Sequence, residues 1–212
     1  MAEFLLYGLA QSGNSYKAAL MLNLCGADWK PRFVDYFNGE TRTPAFRAIN
    51  IMGEVPVLEH AGQRLTQSGV ILDYLAERLG KFGAVDADER REILRWLLFD
   101  NHKLTSYTAT LRYLMSLART GETPVTEFLR ARTLTALGIL DQHLVDRSFV
   151  LGVRPTIADL SLCGYLYFPD EFGVTWSDFP GVGRWLDAIA SLPGWVHPYT
   201  LMPGHPLPVK AS

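Results

Sequence analysis

The first eighty residues alternate between short apolar runs and amphipathic stretches. Phe4-Leu5-Leu6-Tyr7, ended by Gly8, predicts a buried strand. After the polar turn Ser12-Gly13-Asn14-Ser15, residues 16–25 are apolar on almost every side and stop at Gly26, which predicts a buried helix with a glycine C-cap. Lys30 to Asp35 alternates like a strand, and Pro44 to Ile49 reads as a short helix. Val55 to Glu59, Ala61-Gly62 and Gln63 to Leu65 read as a hairpin with glycine in its turn. Gln67 to Leu79 carries Val70, Ile71, Leu72, Leu75 and Leu79 at helical spacing and stops at Gly80. The predicted order is β-α-β-α-β-β-α.

From Glu89 onward strand alternation is absent. Glu89 to Ala118 is one long amphipathic pattern, broken by Gly121 and Pro124. A second runs from Val125 to Leu144, Pro155-Thr156 opens a third, and Asp178 to Leu192 forms a fourth, broken early by Pro180-Gly181. The last twenty residues hold five of the twelve prolines, Pro193, Pro198, Pro203, Pro206 and Pro208. They predict a non-helical tail extended over the domain surface. The organisation is therefore an α/β domain over 1–80, a linker over 81–88 where the texture changes, and an all-α domain over 89–212 that includes the tail.

Composition narrows the function. The chain is 48% hydrophobic and 20% charged, with a formal charge of −2, which is globular and excludes a basic nucleic-acid surface. Seven basic and eight acidic residues fall in 1–80, so neither half carries a charged tail. The longest apolar run, Ala18–Leu22, is far short of a membrane span. The N-terminal residues lack the basic start and long apolar core of a signal peptide, so a cytoplasmic setting is expected. Two cysteines, Cys25 and Cys163, are too few for a disulfide framework or a Cys-x-x-Cys metal cluster, and no metal site is expected. Both lie inside apolar helical patterns and read as inert, buried thiols.

Four local signals each have a plain structural explanation. Thr156 and Asp159 have the spacing of a capping box, whose loss costs ~1 kcal/mol. Ser68 after Gln67 can cap a helix, or that helix N-terminus can receive a carboxylate or phosphate. Ser12-Gly13-Asn14-Ser15 can be a polar turn and N-cap, or it can place a hydroxyl where a helix dipole favours an anion. Pro56 at the start of a strand fits an edge strand with a trans bond, since only about 5–6% of X–Pro bonds are cis. A cis bond would turn the Val55 N–H and C=O outward to pair with an extended peptide. A serine nucleophile is not indicated: there is no Gly-x-Ser-x-Gly elbow and no histidine in a triad context.

In this order and spacing, the signals resemble a cytosolic glutathione S-transferase, bacterial and serine-type, over essentially the whole chain. The pieces that carry the resemblance are Gly53-Glu54-Val55-Pro56-Val57-Leu58, Gln67-Ser68 with Ile71-Leu72-Asp73-Tyr74-Leu75, and Pro155-Thr156-Ile157-Ala158-Asp159. Relatives often have Asn-Pro where this chain has Asn50-Ile51. The resemblance implies a thioredoxin-like domain with a cis Pro56. Val55 pairs with the cysteinyl part of glutathione, Gln67 and Ser68 hold the γ-glutamyl carboxylate, and Glu54 lies beside them. A first-turn donor then stabilises the glutathione thiolate. Ser12, Asn14 and Lys17 match a Ser-x-Asn-x-x-Lys pattern. Ser12 is the first candidate donor with Asn14 as its helper, Ser15 the second and Tyr7 the third.

An acceptor site between the domains is expected, lined by Leu9, Ala10, Phe99, His102 and Tyr107, with Trp96 and Tyr113 as further candidates. At ~3.6 residues per turn the helical ones cannot all face one cleft. The function expected is conjugation of the glutathione thiolate to small apolar electrophiles by a homodimer, without metal. The alternatives are another glutathione-dependent reaction (isomerisation, dehalogenation, peroxide reduction or ether cleavage) or a non-catalytic interaction module.

Overall fold

A computed structural model of the chain describes residues 2–206; Pro208 of the expected tail lies outside them. The chain divides into two compact units. Among the described residues, one comprises 2–83 together with 192–206, and the other 84–191.

The first unit has the expected order: β1 (Phe4–Gly8), α1 (Gly13–Cys25), β2 (Trp29–Phe33), α2 (Pro44–Ile49), β3 (Val57–His60), β4 (Gln63–Thr66) and α3 (Ser68–Leu79). The sheet order is β2-β1-β3-β4, with β1 parallel to β2 and antiparallel to β3, and β3 antiparallel to β4. Registers Leu6↔Leu58 and Tyr7↔Val57 put alternate side chains on opposite faces. One face carries Leu5, Tyr7 and Val57 and packs on Phe46 and Ile49 of α2. The other carries Phe4, Leu6 and Leu58, all fully buried, and meets α1 and α3. On that face the His60 ring stacks on Phe4 at 4.3 Å, and its Nδ1 lies 2.6 Å from the Tyr74 hydroxyl of α3. The β3–β4 turn has positive φ at both central residues, 48° at Ala61 and 77° at Gly62, the twist that a two-residue hairpin favours.

Helix α1 is buried without interruption from Ser15 to Leu22, which is why its sequence is apolar all round. Gly26 at its C-terminus takes φ 68° and Gly80 after α3 takes φ 65°, both left-handed caps. Gly8 faces Ser15 so closely that a Cβ there would stand 2.5 Å from the Ser15 Oγ.

The second unit is helical: α4 (Ala87–Phe99), α5 (Thr105–Arg112), α6 (Pro124–His143), α7 (Ile157–Leu162), α8 (Pro169–Phe172) and α9 (Pro180–Ala190). Among the described residues its β-structure is an isolated Phe149–Gly152 bridge. The long pattern from Glu89 is not a plain α-helix. It widens to π-turns at Asp100–Leu104 and Tyr113–Leu117. In the first of these, the buried Asp100 carboxylate accepts the Thr105 and Ser161 hydroxyls at 2.6 and 2.5 Å. Pro180 does not break the last helix but opens α9 as its first residue, where a missing N–H costs nothing.

The tail departs from expectation in two ways. Residues 192–206 belong to the first unit rather than to the helical one. They also contain a helical turn, α10 (Pro198–Leu201), again opened by proline. No helix among the described residues is long and apolar enough to cross a membrane.

Candidate functional site

Ser12 is the N-cap of α1. Its backbone is extended, and its Oγ accepts the Ser15 N–H at 3.1 Å. The side chain is half-buried, and among the described residues no protein group accepts its hydroxyl proton. Ser15, three residues on, is fully buried, and among the described residues its Oγ has no hydrogen-bond partner. The two hydroxyls, alike in sequence, thus have opposite environments: Ser12 can donate outward, whereas Ser15 is packed against Gly8. Lys17 is fully buried.

Helix α3 begins one residue after Gln67, whose φ of 66° and ψ of 117° are unusual for a residue with a side chain. The Gln67 side chain makes no cap to α3. Instead its Nε2 donates to Glu54 Oε2 at 3.3 Å and to Met52 Sδ at 3.1 Å. Ser68 is buried and its hydroxyl donates to Asn14 Oδ1 at 3.3 Å. This bond ties the first turn of α1 to the first turn of α3. Neither helix has an acid in its first turn, whereas α4 and α6 do. The positive end of neither dipole is therefore offset by an acid within its own first turn.

The Val55–Pro56 peptide is cis. Among the described residues the Val55 N–H and C=O have no hydrogen-bond partner in the chain. Asn50, whose side-chain role the sequence does not reveal, shapes the preceding loop. It is 4% exposed, accepts the Met52 N–H at 3.1 Å and donates to the Glu54 carbonyl at 2.8 Å. Gly53 within this loop has φ 65°, and a Cβ there would stand 2.9 Å from the Thr41 carbonyl oxygen. Asparagine and glycine are required here by hydrogen bonding and space, which gives a physical reason for both residues in the run up to Val55.

The third candidate donor, Tyr7, sits in the core on the α2 face of the sheet. Its hydroxyl pKa is raised above 10.0, first by burial and then by the charge and hydrogen bond of Glu59, with Arg32 and Arg64 pulling the other way. It is a packed core tyrosine.

The acceptor-site candidates are less uniform than expected. Leu9 and Ala10 are 2% and 3% exposed, and the Ala10 N–H donates to the Pro203 carbonyl at 2.9 Å; the returning tail covers what was expected to line a pocket. Trp96 is a core residue, 4.5 Å from the His143 ring and 5.3 Å from Phe99. His102 and Tyr113 are exposed, and Phe99 and Tyr107 half-buried, with Tyr107 edge-on to Phe128 at 6.3 Å. Cys163 is fully buried as expected, but Cys25, at the end of α1, is only half-buried; what burial it has raises its thiol above 9.0 against a weaker pull from Lys81. Among the described residues no three His, Cys, Asp or Glu side chains gather as a metal site.

Two family models match, the glutathione S-transferase N-terminal domain over residues 11–78 and the glutathione S-transferase C-terminal domain over 105–193. The chain belongs to the glutathione S-transferase family and has its fold, a four-stranded α/β domain followed by a helical one. A maleylacetoacetate isomerase from Pseudomonas aeruginosa is 30% identical over 203 residues, covering 91% of this chain and 95% of that protein. The crystal structure of a glutathione S-transferase from Pseudomonas fluorescens is similar with a TM-score of 0.87 and 32% identity, over 93% of this chain and 100% of that one. A glutathione transferase from Burkholderia graminis, crystallised with two glutathione molecules per subunit, is 26% identical with a TM-score of 0.80, over 91% of this chain and 85% of that one.

Proposed function

We propose that this enzyme binds glutathione on the first unit, stabilises its thiolate through the Ser12 hydroxyl, and conjugates the sulfur to small apolar electrophiles. The observation that most supports this reading is the hydrogen-bonded junction of two acid-free helix N-termini beside a half-exposed hydroxyl with an ungiven proton. The N-terminus of α3, with Gln67 and Ser68, takes the γ-glutamyl carboxylate. Glu54, hydrogen-bonded to Gln67, repels a carboxylate and suits the α-ammonium at the same end of the ligand. The Val55 N–H and C=O pair with the cysteinyl peptide. Asn14, held by Ser68, keeps the first turn of α1 in register. Once the thiol is ionised, the protein has only to place the electrophile beside it. The expected cytoplasmic setting keeps glutathione reduced, and a homodimer remains part of the proposal through the family.

A second reading is favoured by the 30% identity to a maleylacetoacetate isomerase. There the same thiolate adds to an activated double bond, the former double bond rotates, and the thiolate is expelled. Both readings start from one thiolate, but only conjugation consumes glutathione. Ultraviolet absorbance of bound glutathione against pH tests the shared step: the expected thiol pKa lies below ~8.5, the ordinary value, and a thiol no more acidic than free glutathione's sinks both. Titrating remaining thiol during turnover separates them. Loss of one thiol per product marks conjugation, and constant thiol marks isomerisation.

Gln67 offers a separate check. Its positive φ costs ~1–3 kcal/mol, a strain that glycine does not incur. Gln67→Gly is expected to keep or raise the Tm while increasing KM for glutathione roughly tenfold, the value of a hydrogen bond to a charged group. A lower Tm with unchanged KM would remove Gln67 from the binding site.

A further inference from the structure

Residues 194–206 lie beyond both ranges that the family models match. They form a strap across the first unit, fastened along its length. Asn23 Nδ2 donates to the Gly194 carbonyl at 2.6 Å, the Tyr16 hydroxyl donates to the Val196 carbonyl at 2.9 Å, and Met202 is buried. The strap then reaches Ala10 and Gln11, the two residues before Ser12. Beyond the Ala10–Pro203 bond, Gln11 Nε2 donates to the His205 carbonyl at 2.7 Å while its Oε1 accepts the His205 N–H at 3.1 Å. The Gln11 amide, 5% exposed, holds both hydrogen-bonding groups of one strap residue. The His205 ring packs near Phe33 and Phe37, at 5.1 and 4.5 Å. Space is tight on the strap side too. A Cβ at Gly204 would stand 2.6 Å from Gln11 Oε1 and 2.9 Å from the Ala10 Cβ.

We propose that Gln11 is a positioning residue for the thiolate donor: by clasping the strap at His205 it fixes the turn that aims the Ser12 hydroxyl. This rests on the assignment of Ser12 above. The turn from Leu9 to Ser12 has one internal backbone bond, from the Ser12 N–H to the Leu9 carbonyl at 3.0 Å. The bonds at Ala10 and Gln11 supply further restraint from the strap. Ser12 Oγ already accepts from Ser15, so its proton can point in few directions. A tilt of the turn therefore moves the proton away from the sulfur, and a misplacement of ~1 Å can cost ~10²-fold in rate.

Two variants reach the same contact from opposite sides. Gln11→Met keeps length and bulk but removes both bonds to His205. Gly204→Ala drives a methyl into the Gln11 amide from the strap. In each, the thiol pKa of bound glutathione is expected to rise by about half a unit to one unit, with kcat at neutral pH falling roughly three- to tenfold. The acid limb of the kcat profile should move up with the pKa, and KM for glutathione should stay within about twofold. If the wild-type thiol pKa is depressed and neither variant moves it, even with a lower Tm, Gln11 is only structural and the proposal is overturned. A wild-type thiol as weak as free glutathione's overturns the Ser12 reading, and this proposal with it.

Discussion

Ser12→Ala is expected to raise the thiol pKa of bound glutathione by about one to two units. A hydrogen bond to a charged group contributes ~1.5–3 kcal/mol, and one unit corresponds to ~1.4 kcal/mol. At neutral pH the thiolate fraction, and kcat with it, should fall roughly ten- to a hundredfold. The same substitution removes the N-cap of α1, since Ser12 Oγ accepts the Ser15 N–H, and that alone costs ~1 kcal/mol of stability. Ser12→Asp separates the two effects. Aspartate caps a helix as well as serine does, so the Tm should hold, but it offers no proton and sets a negative charge near the sulfur, so the pKa should rise as far or further. Ser15→Ala is the opposing control. It deletes a fully buried hydroxyl with no partner among the described residues, so the thiol pKa should not move and stability should stay level or improve. A pKa that responds to Ser15→Ala and ignores Ser12→Ala would transfer the donor role to Ser15.

That contrast shows where local pattern stops being informative. Ser12 and Ser15 occupy N-cap and N3 of one helix, and nothing in their own turn says which faces out. The distinction comes from Gly8 on β1, which lies against Ser15. Features whose cause is local were legible: the strand ended by Gly8, the hairpin turn at Ala61-Gly62, the left-handed caps at Gly26 and Gly80, and the box at Thr156 and Asp159. Each needs only a few neighbouring residues to impose its backbone. The misread features depend on distant partners. The tail's prolines suggested an extended chain over the helical domain, yet Pro198 begins a helical turn, and His205 is clasped by Gln11 across 194 positions. Asn50 gave no sign of its loop contacts, because an isolated polar residue looks like any surface position until both ends of its amide find partners. The π-turn at Asp100–Leu104 is centred on a buried carboxylate that joins Thr105 to Ser161, 61 residues away, a bond that helical periodicity does not encode.

Asp159→Ala is expected to be the most destabilising single change, about 3–5 kcal/mol from the donors it would leave unpaired, well beyond the ~1 kcal/mol of a lost cap. The reason is that Asp159 does more than complete a capping box. Its Oδ2 accepts the Thr156 N–H at 2.7 Å and the Thr156 hydroxyl at 3.2 Å, as the spacing predicted. Its Oδ1 also accepts the Val150 N–H at 2.8 Å and the Trp185 Nε1–H at 2.9 Å. One fully buried carboxyl thereby joins the loop before α7, the start of α7 and the middle of α9. Alanine would leave these donors buried and unpaired, each at a cost of ~1–3 kcal/mol unless water enters. Asp159→Asn keeps the shape, but its amide can accept through one oxygen only, so at least one donor faces another donor. Burial raises the Asp159 pKa above 3.8, against the opposing pull of these hydrogen bonds. The native state therefore holds the proton more tightly than the unfolded chain does. The stability tied to this group is complete below pH 3.8 and declines as pH rises through the raised folded value. Asparagine does not titrate, so the stability gap between wild type and Asp159→Asn should narrow from acid toward neutral pH. Urea unfolding at a series of pH values measures both quantities. A loss near 1 kcal/mol for Asp159→Ala would reduce the residue to its cap, and a gap that widens with pH would mean that the hydrogen bonds outweigh burial and hold the folded pKa down.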